Sequence, residues 1–188
     1  MTSLSKWILP LLPVVGLLAG CVTVSRSPIP TVPRVDLPRF MGDWYVIAHI
    51  PTFIEREAQE AVESYALAPD GTIATTFTFR AGGPGGPMKR YTPKGYVRDH
   101  ENNSTWGMQF IWPVKAEYLI ASLDAAYTQT IIARNSRDYV WIMARTPEIS
   151  AADYARHVEQ LRAWGYDVSK LRRVPQTPRV PEHPAPGR

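Results

Sequence analysis

The chain has 188 residues, 45% of them hydrophobic and 20% charged, enough to bury the core of one globular domain. Its formal net charge of +4 is mild, and with no basic block or aromatic-basic ladder a nucleic-acid partner finds little support. Cys21 is the only cysteine, which excludes an internal disulfide.

Lys6 precedes a mostly apolar run from Trp7 to Leu18, and the small pair Ala19-Gly20 stands ahead of Cys21. This is the pattern of a secretory signal, too short and too proline-broken to span a membrane. Leu18-Ala19-Gly20-Cys21 also resembles a bacterial lipobox, which implies that residues 1–20 are removed and that Cys21 becomes the acylated first residue. Several acyl chains on one cysteine exceed what stable anchoring requires. Val22 stands where, by the same resemblance, an Asp would retain the protein at the inner membrane. The resemblance thus implies the outer membrane, with the body facing the periplasm. Nine of the eighteen prolines crowd into Pro28–Pro38 and Pro175–Pro186. Residues 21–38 read as the acylated Cys and a Pro-rich tether, 39–174 as the folded domain and 175–188 as a disordered Pro-rich tail.

Gly42 to Ile50 is β-branched and aromatic, with Gly42 allowing a tight entry and Trp44 plugging one end of a core. Pro51–Glu57 breaks the alternation, leaving a loop of about ten residues, long enough to act as a lid. Ala61–Leu67 and Thr72–Arg80 flank an Asp70-Gly71 hairpin turn. The glycine-rich loop 81–87 has interleaved prolines and no Gly-Lys-Ser/Thr ending, so it is a turn and not a phosphate cradle. Strand-like runs continue at Arg90–Arg98, Thr105–Trp112, Glu117–Leu123, Thr128–Arg134 and Tyr139–Arg145. Eight strands with short connections and no intervening helix predict an all-β fold, an antiparallel up-and-down barrel with room for one small ligand. Pro147 ends the last strand. Ser150 then caps a helix that presents Tyr154, Val158 and Leu161 to the barrel's outside, sets Arg156, Glu159 and Arg162 opposite, and stops at Gly165. Val168–Val174 offers a short last strand.

Successive loops of such a barrel alternate between two ends. Gly42, Trp44, Asp124, Tyr127 and Arg145 fall at one end, the floor, and closure sets the last strand beside the first. Arg145 can therefore lay its guanidinium over Trp44. Gly42-x-Trp44, Asp124-x-x-Tyr127 and the lone Arg145, in this order, resemble the signature of the lipocalin family over roughly residues 38–174. The likeness closely follows the bacterial outer-membrane lipocalins and their animal relative apolipoprotein D, through Met41–Tyr45, Trp141–Pro147 and Tyr166–Lys170. Leu123 departs from the threonine that many members carry. The resemblance implies that these signature residues hold the floor closed and bind no ligand.

The other end, the mouth, gathers the loops 50–60, 81–89, 112–117 and 135–138. Arg80, Lys89, Arg90, Lys115, Arg134 and Arg137 lie near it, partly offset by Glu55, Glu57, Glu117 and Asp138. An apolar cup with a basic rim suits a long acyl chain with an anionic head, and the resemblance implies fatty acids or lysophospholipids. Period-two alternation puts Tyr139, Trp141 and Met143 on the face of Arg145, inside the barrel. Tyr65 and Arg80 match pocket residues by resemblance. Trp106, Met108, Phe110 and Trp112 form one apolar face that either lines the cup, with Tyr118 beside it, or is covered in a homodimer.

His49, His100, His157 and His183 are spread over the mouth, a floor loop, the outer helix and the tail, so no two are expected to meet. With no nucleophile elbow and no metal-ligand spacing, no cofactor or metal is expected. A membrane-anchored carrier of hydrophobic ligands is favoured. The alternative is an isomerase- or hydrolase-like enzyme using the same cup.

Overall fold

The computed structural model describes residues 26–83 and 85–177. Cys21, the signal sequence and residues 178–188 of the tail therefore lie outside the described residues. In chain order the elements are α1 (Leu37–Phe40), β1 (Gly42–Ile50), β2 (Gln59–Leu67), β3 (Ile73–Arg80), β4 (Met88–Tyr91), β5 (Lys94–Val97), β6 (Thr105–Ile111), β7 (Val114–Leu123), β8 (Gln129–Ala133), β9 (Val140–Ala144), α2 (Ala151–Ala163) and β10 (Arg172–Arg173). Each barrel strand pairs antiparallel with the next, and β9 returns to β1 with Tyr45 opposite Ala144 and Ile50 opposite Val140. The eight-stranded barrel is thus closed and has no free edge within it.

The fourth predicted strand is two short ones, β4 and β5, both paired to β3. They part at Thr92-Pro93, because proline has no N–H to donate to the ladder. The short last strand is β10, which lies on β1 through His49 opposite Arg172.

Alternation along β3 buries Ile73, Thr75, Phe77 and Phe79 inside the barrel. In β1 the parity changes. Trp44 and Val46 belong to the interior core, but a register shift between Val46 and Ala48 sends Ala48 and Ile50 to the outer face. There they meet Ile131, Ala133, Ile142 and Leu161 of α2 in a second core. The bulge is what sets His49 against Glu55 of the mouth loop, 3.5 Å from Nδ1 to Oε2.

Ser150 caps α2 by accepting from the Asp153 N–H at 3.0 Å. The predicted stripe shifts slightly: His157 and Leu161 are buried, while Tyr154 and Val158 are only partly so. His157 is accommodated because Gln129 of β8 meets its Nε2 at 2.7 Å.

Residues 29–38 are not a free tether. Ile29 and Val35 are buried, and backbone bonds run from Val32 N to Ile120 O (3.0 Å) and from Val35 N to Asn102 O (2.7 Å). The segment continues into α1, whose Phe40 is fully buried, 5.0 Å from Trp44 between ring centroids. An extended proline-rich strap needs few ladder bonds, so its prolines cost little, and its apolar side chains decide where it lies. At the other terminus Pro175 and Gln176 also belong to the fold, bonding to Glu60, Val46 and Ala61.

Candidate functional site

Inward side chains leave a cavity of about 300 Å³ below the mouth, at the lower end of the range for small-molecule sites. Phe77 of β3, Met108 and Phe110 of β6, Tyr118 of β7, and Tyr139 and Trp141 line it, with Thr52 to Glu55 of the β1–β2 loop over one side. Beneath it an aromatic stack closes the barrel. Trp106 lies on Tyr118 at 5.4 Å, nearly parallel, and Phe40 meets Trp106 edge-on at 5.5 Å.

Two buried carboxylates, Glu55 and Glu63, sit in this apolar lining. Glu55 is buried, and burial alone would raise its pKa. The adjoining His49, the Thr52 N–H and the Trp141 indole N–H outweigh burial and hold it below the ordinary value. Glu63 of β2 has fewer partners. Burial raises it to about 7 against the lowering bond from the Tyr65 hydroxyl, and the negative charge of Glu55 adds to the rise. Tyr65 bonds to Glu63 and, at 2.6 Å, to the Tyr118 hydroxyl.

Of the residues expected to meet a ligand, the structure brings Phe110, Tyr118, Tyr139 and Trp141 together on the cavity wall. Tyr65 is one layer deeper, within the aromatic core. Arg80 is not in the cavity. Alternation puts it on the outer face of β3, where Nε bonds Glu60 at 2.9 Å and Nη1 bonds the Gly86 carbonyl at 3.1 Å. Trp112 is also corrected: β6 ends at Ile111, and Trp112, in the turn beyond, is 82% exposed. Most of the expected basic rim is otherwise engaged. Lys115 covers the Tyr96 ring, and Arg137 bonds the carbonyls of Trp164 and Ser27. Among those six basic side chains, only Arg134 lines the cavity.

Sequence reasoning passed over Phe77, Glu55 and Glu63 as ligand residues, and named Met108 only on a face left open between cup and dimer. Phe77 and Met108 were accessible through alternation with their inward neighbours. Glu63, between Ala61 and Tyr65 on the inward parity of β2, carried the same signal, but a lone carboxylate normally reads as solvated.

The floor is built as expected. The Arg145 guanidinium lies 3.8 Å from the Trp44 ring centroid. It also donates to the carbonyls of Asp43, Arg39, Phe40, Met41 and Tyr127. Gly42 has a φ of +93°, which strains any L side chain, and a Cβ there would stand a tight 3.3 Å from Arg145 Nη1. Asp124 accepts from the N–H groups of Thr128 and Gln129, shaping the turn that carries Tyr127. The Tyr127 hydroxyl accepts from Asp36 N at 2.8 Å. Among the described residues, no group of three or more His, Cys, Asp or Glu side chains is placed to hold a metal ion.

A closed antiparallel barrel with an apolar cavity, open at one end and sealed at the other by an arginine-capped tryptophan, has the architecture of barrels that hold one small ligand. Residues 35–176 match the family described as Lipocalin-like domain, and the chain belongs to that family. Temperature-induced lipocalin-1 of Arabidopsis thaliana is 30% identical over 166 residues, covering 84% of this chain and 88% of that protein. Outer membrane lipoprotein Blc of Escherichia coli K12 is 28% identical over 168 residues, covering 86% and 94%. Among solved structures, the cockroach allergen Per a 4 superposes with a TM-score of 0.61 at 18% identity, over 81% of this chain and 96% of its own. Insecticyanin of Manduca sexta also gives 0.61, at 15% identity, over 81% and 87%. These two likenesses show the fold.

Proposed function

We propose that the protein is a membrane-anchored lipocalin that binds, stores or transports a small hydrophobic ligand, a fatty acid or lysophospholipid, inside its barrel. The observation that carries this is the apolar cavity of about 300 Å³ beneath the mouth. A single acyl chain suits such a wall, and the ionised Glu55 within it disfavours burying an anionic head. The chain therefore enters tail first, leaving the head at the rim. There Arg134 lines the opening, with Nη1 on Asp138 at 3.0 Å and a buried Nε that has no hydrogen-bond partner among the described residues. Of the six basic side chains expected near the mouth, Arg134 is the one on the cavity wall, which supports it as the partner of an anionic head group.

The Blc relatives are, by name, outer membrane lipoproteins, which supports acylation of Cys21 and a place at the outer membrane facing the periplasm. An enzyme in the same cavity would draw on His49 beside Glu55. That pair is a poor base, since Glu55 is already engaged by Thr52 and Trp141 and His49 forms no part of the cavity wall. The test is mass spectrometry of ligand extracted from the purified protein and from protein reloaded with C16 and C18 lipids. An unaltered single-chain lipid near one per protein supports a carrier. Chemically altered lipid, or none in either sample, contradicts it.

A further inference from the structure

Seven large apolar side chains are exposed among the described residues: Phe53, Leu67, Met88, Phe110, Ile111, Trp112 and Val114. All but Leu67 stand at the mouth end. Phe53 comes from the β1–β2 loop, Met88 from the start of β4, and the remaining four from the end of β6, the turn after it and the start of β7. Trp112 is 82% exposed and Phe53 73%. Apolar side chains gathered at one end of a barrel mark an interaction surface, whereas scattered ones need no explanation.

The path of the N-terminal strap says what this surface meets. Ser27 and Ile29 are held at the fourth mouth loop, through Arg137 Nη2 to Ser27 O at 2.5 Å and Ile29 N to Asn135 Oδ1 at 2.8 Å. From there the strap descends outside the barrel to the floor, where Asp36 N meets Tyr127. The described chain therefore begins beside the mouth. Cys21 lies five positions before Arg26, a reach of at most about 18 Å at full extension. The nine residues of β1, tilted as barrel strands are, span about 23 Å along the barrel axis. An anchor at Cys21 is thus too short to reach a bilayer lying beyond the floor.

We infer that the mouth of the barrel docks directly on the phospholipid bilayer, with Phe53, Ile111, Trp112 and Val114 entering the interface and the cavity opening onto lipid. This rests on Cys21 being the acylated anchor. Tryptophan is well suited to such a position, having an apolar body and an N–H that can remain in the headgroup region. Exposed Lys89 and Arg90, following Met88 on β4, would favour an anionic leaflet. A ligand could then pass between membrane and cavity without crossing water.

The experiment places the acylated full chain in phosphatidylethanolamine–phosphatidylglycerol vesicles carrying brominated phospholipid. Vesicle flotation reports the anchor, and bromine quenching of tryptophan reports the mouth. Full-length protein is expected to float and to be quenched, with most of the quenching lost in Trp112→Phe and flotation retained. Phe53→Ser provides a second variant, expected to reduce quenching of Trp112 by about half. Flotation with quenching that is absent, or unchanged by Trp112→Phe, overturns the docking and leaves the anchor standing. Failure to float overturns both. Sedimentation of Cys21→Ala protein without vesicles covers a further occupant, since a dimer dissociated by Trp112→Ser would assign the surface to a second copy and overturn the bilayer.

Discussion

The indole N–H of Trp141 stands 3.2 and 3.3 Å from the two carboxylate oxygens of Glu55, tying the mouth loop to the cavity wall. Thr52 N donates to the same carboxylate at 3.1 Å, so the loop residues over the cavity are latched rather than free.

Trp141→Phe keeps an aromatic wall but removes one donor from a buried carboxylate. The expected cost is about 1–3 kcal/mol in a urea melt, together with faster proteolysis between residues 51 and 58. Because Trp141 lines the cavity, the variant should also lose much of the fluorescence quenching that a C16 lipid produces. Quenching equal to wild type would place the ligand elsewhere.

At the floor, Trp44→Ala should cost about 3–5 kcal/mol as a large-to-small core change. Sequence alone credits Arg145 with stacking only, but the guanidinium also serves five carbonyls, so Arg145→Ala should cost about 2–4 kcal/mol. Arg145→Lys should recover less than half of that loss, since an ammonium cannot reproduce the planar fork. Full recovery in urea melts would mean that charge, and not the fork, closes this end.

Glu63 makes stability depend on pH with a definite sign. The folded protein keeps this proton up to about pH 7, whereas the unfolded chain releases it near 4.5. Between those values the native state binds more protons, so the stability associated with neutral Glu63 is full below pH 4.5. It is lost as pH rises towards 7, by about 3 kcal/mol in all. Glu63→Gln cannot ionise, so its melting temperature should exceed wild type at pH 8 and approach it at pH 4. Parallel profiles for the two proteins would show that Glu63 does not titrate in this range.

Arg80→Ala should leave the affinities for anionic and neutral C16 ligands within about twofold of wild type. It should also lower stability by no more than about 1 kcal/mol, as for other partly exposed pairs. A selective loss for the anionic ligand would return Arg80 to the head group.

Much of the barrel was legible because it rests on short-range rules. Period-two runs gave the strands, Pro147 and Ser150 bounded the helix, and loop alternation alone brought Arg145 to Trp44. The same alternation, applied to Ile73, Phe77 and Phe79, already puts Arg80 outside. There the family resemblance pointed inward, and the local pattern proved the better guide. His49 was illegible because a one-residue bulge in β1 changes the parity after Val46, and no residue type announces it. Glu55 and Glu63 were hidden because each carboxylate's burial depends on partners distant in sequence, Trp141 for one and Tyr118 behind Tyr65 for the other. The N-terminal strap read as a tether because its prolines outweighed Ile29, Val35 and Phe40, whose burial sites exist only once the barrel has formed.

The central claim is that the barrel interior holds one acyl chain, and calorimetric titration with C16 lysophosphatidylcholine below its micellar concentration tests it most directly. Wild type should bind one equivalent saturably, while Ala116→Trp, which fills the wall beside Tyr118 without touching the floor, should reduce affinity at least about tenfold. Saturable binding that is unchanged in the filled variant, or no binding by a folded wild-type protein, would contradict it.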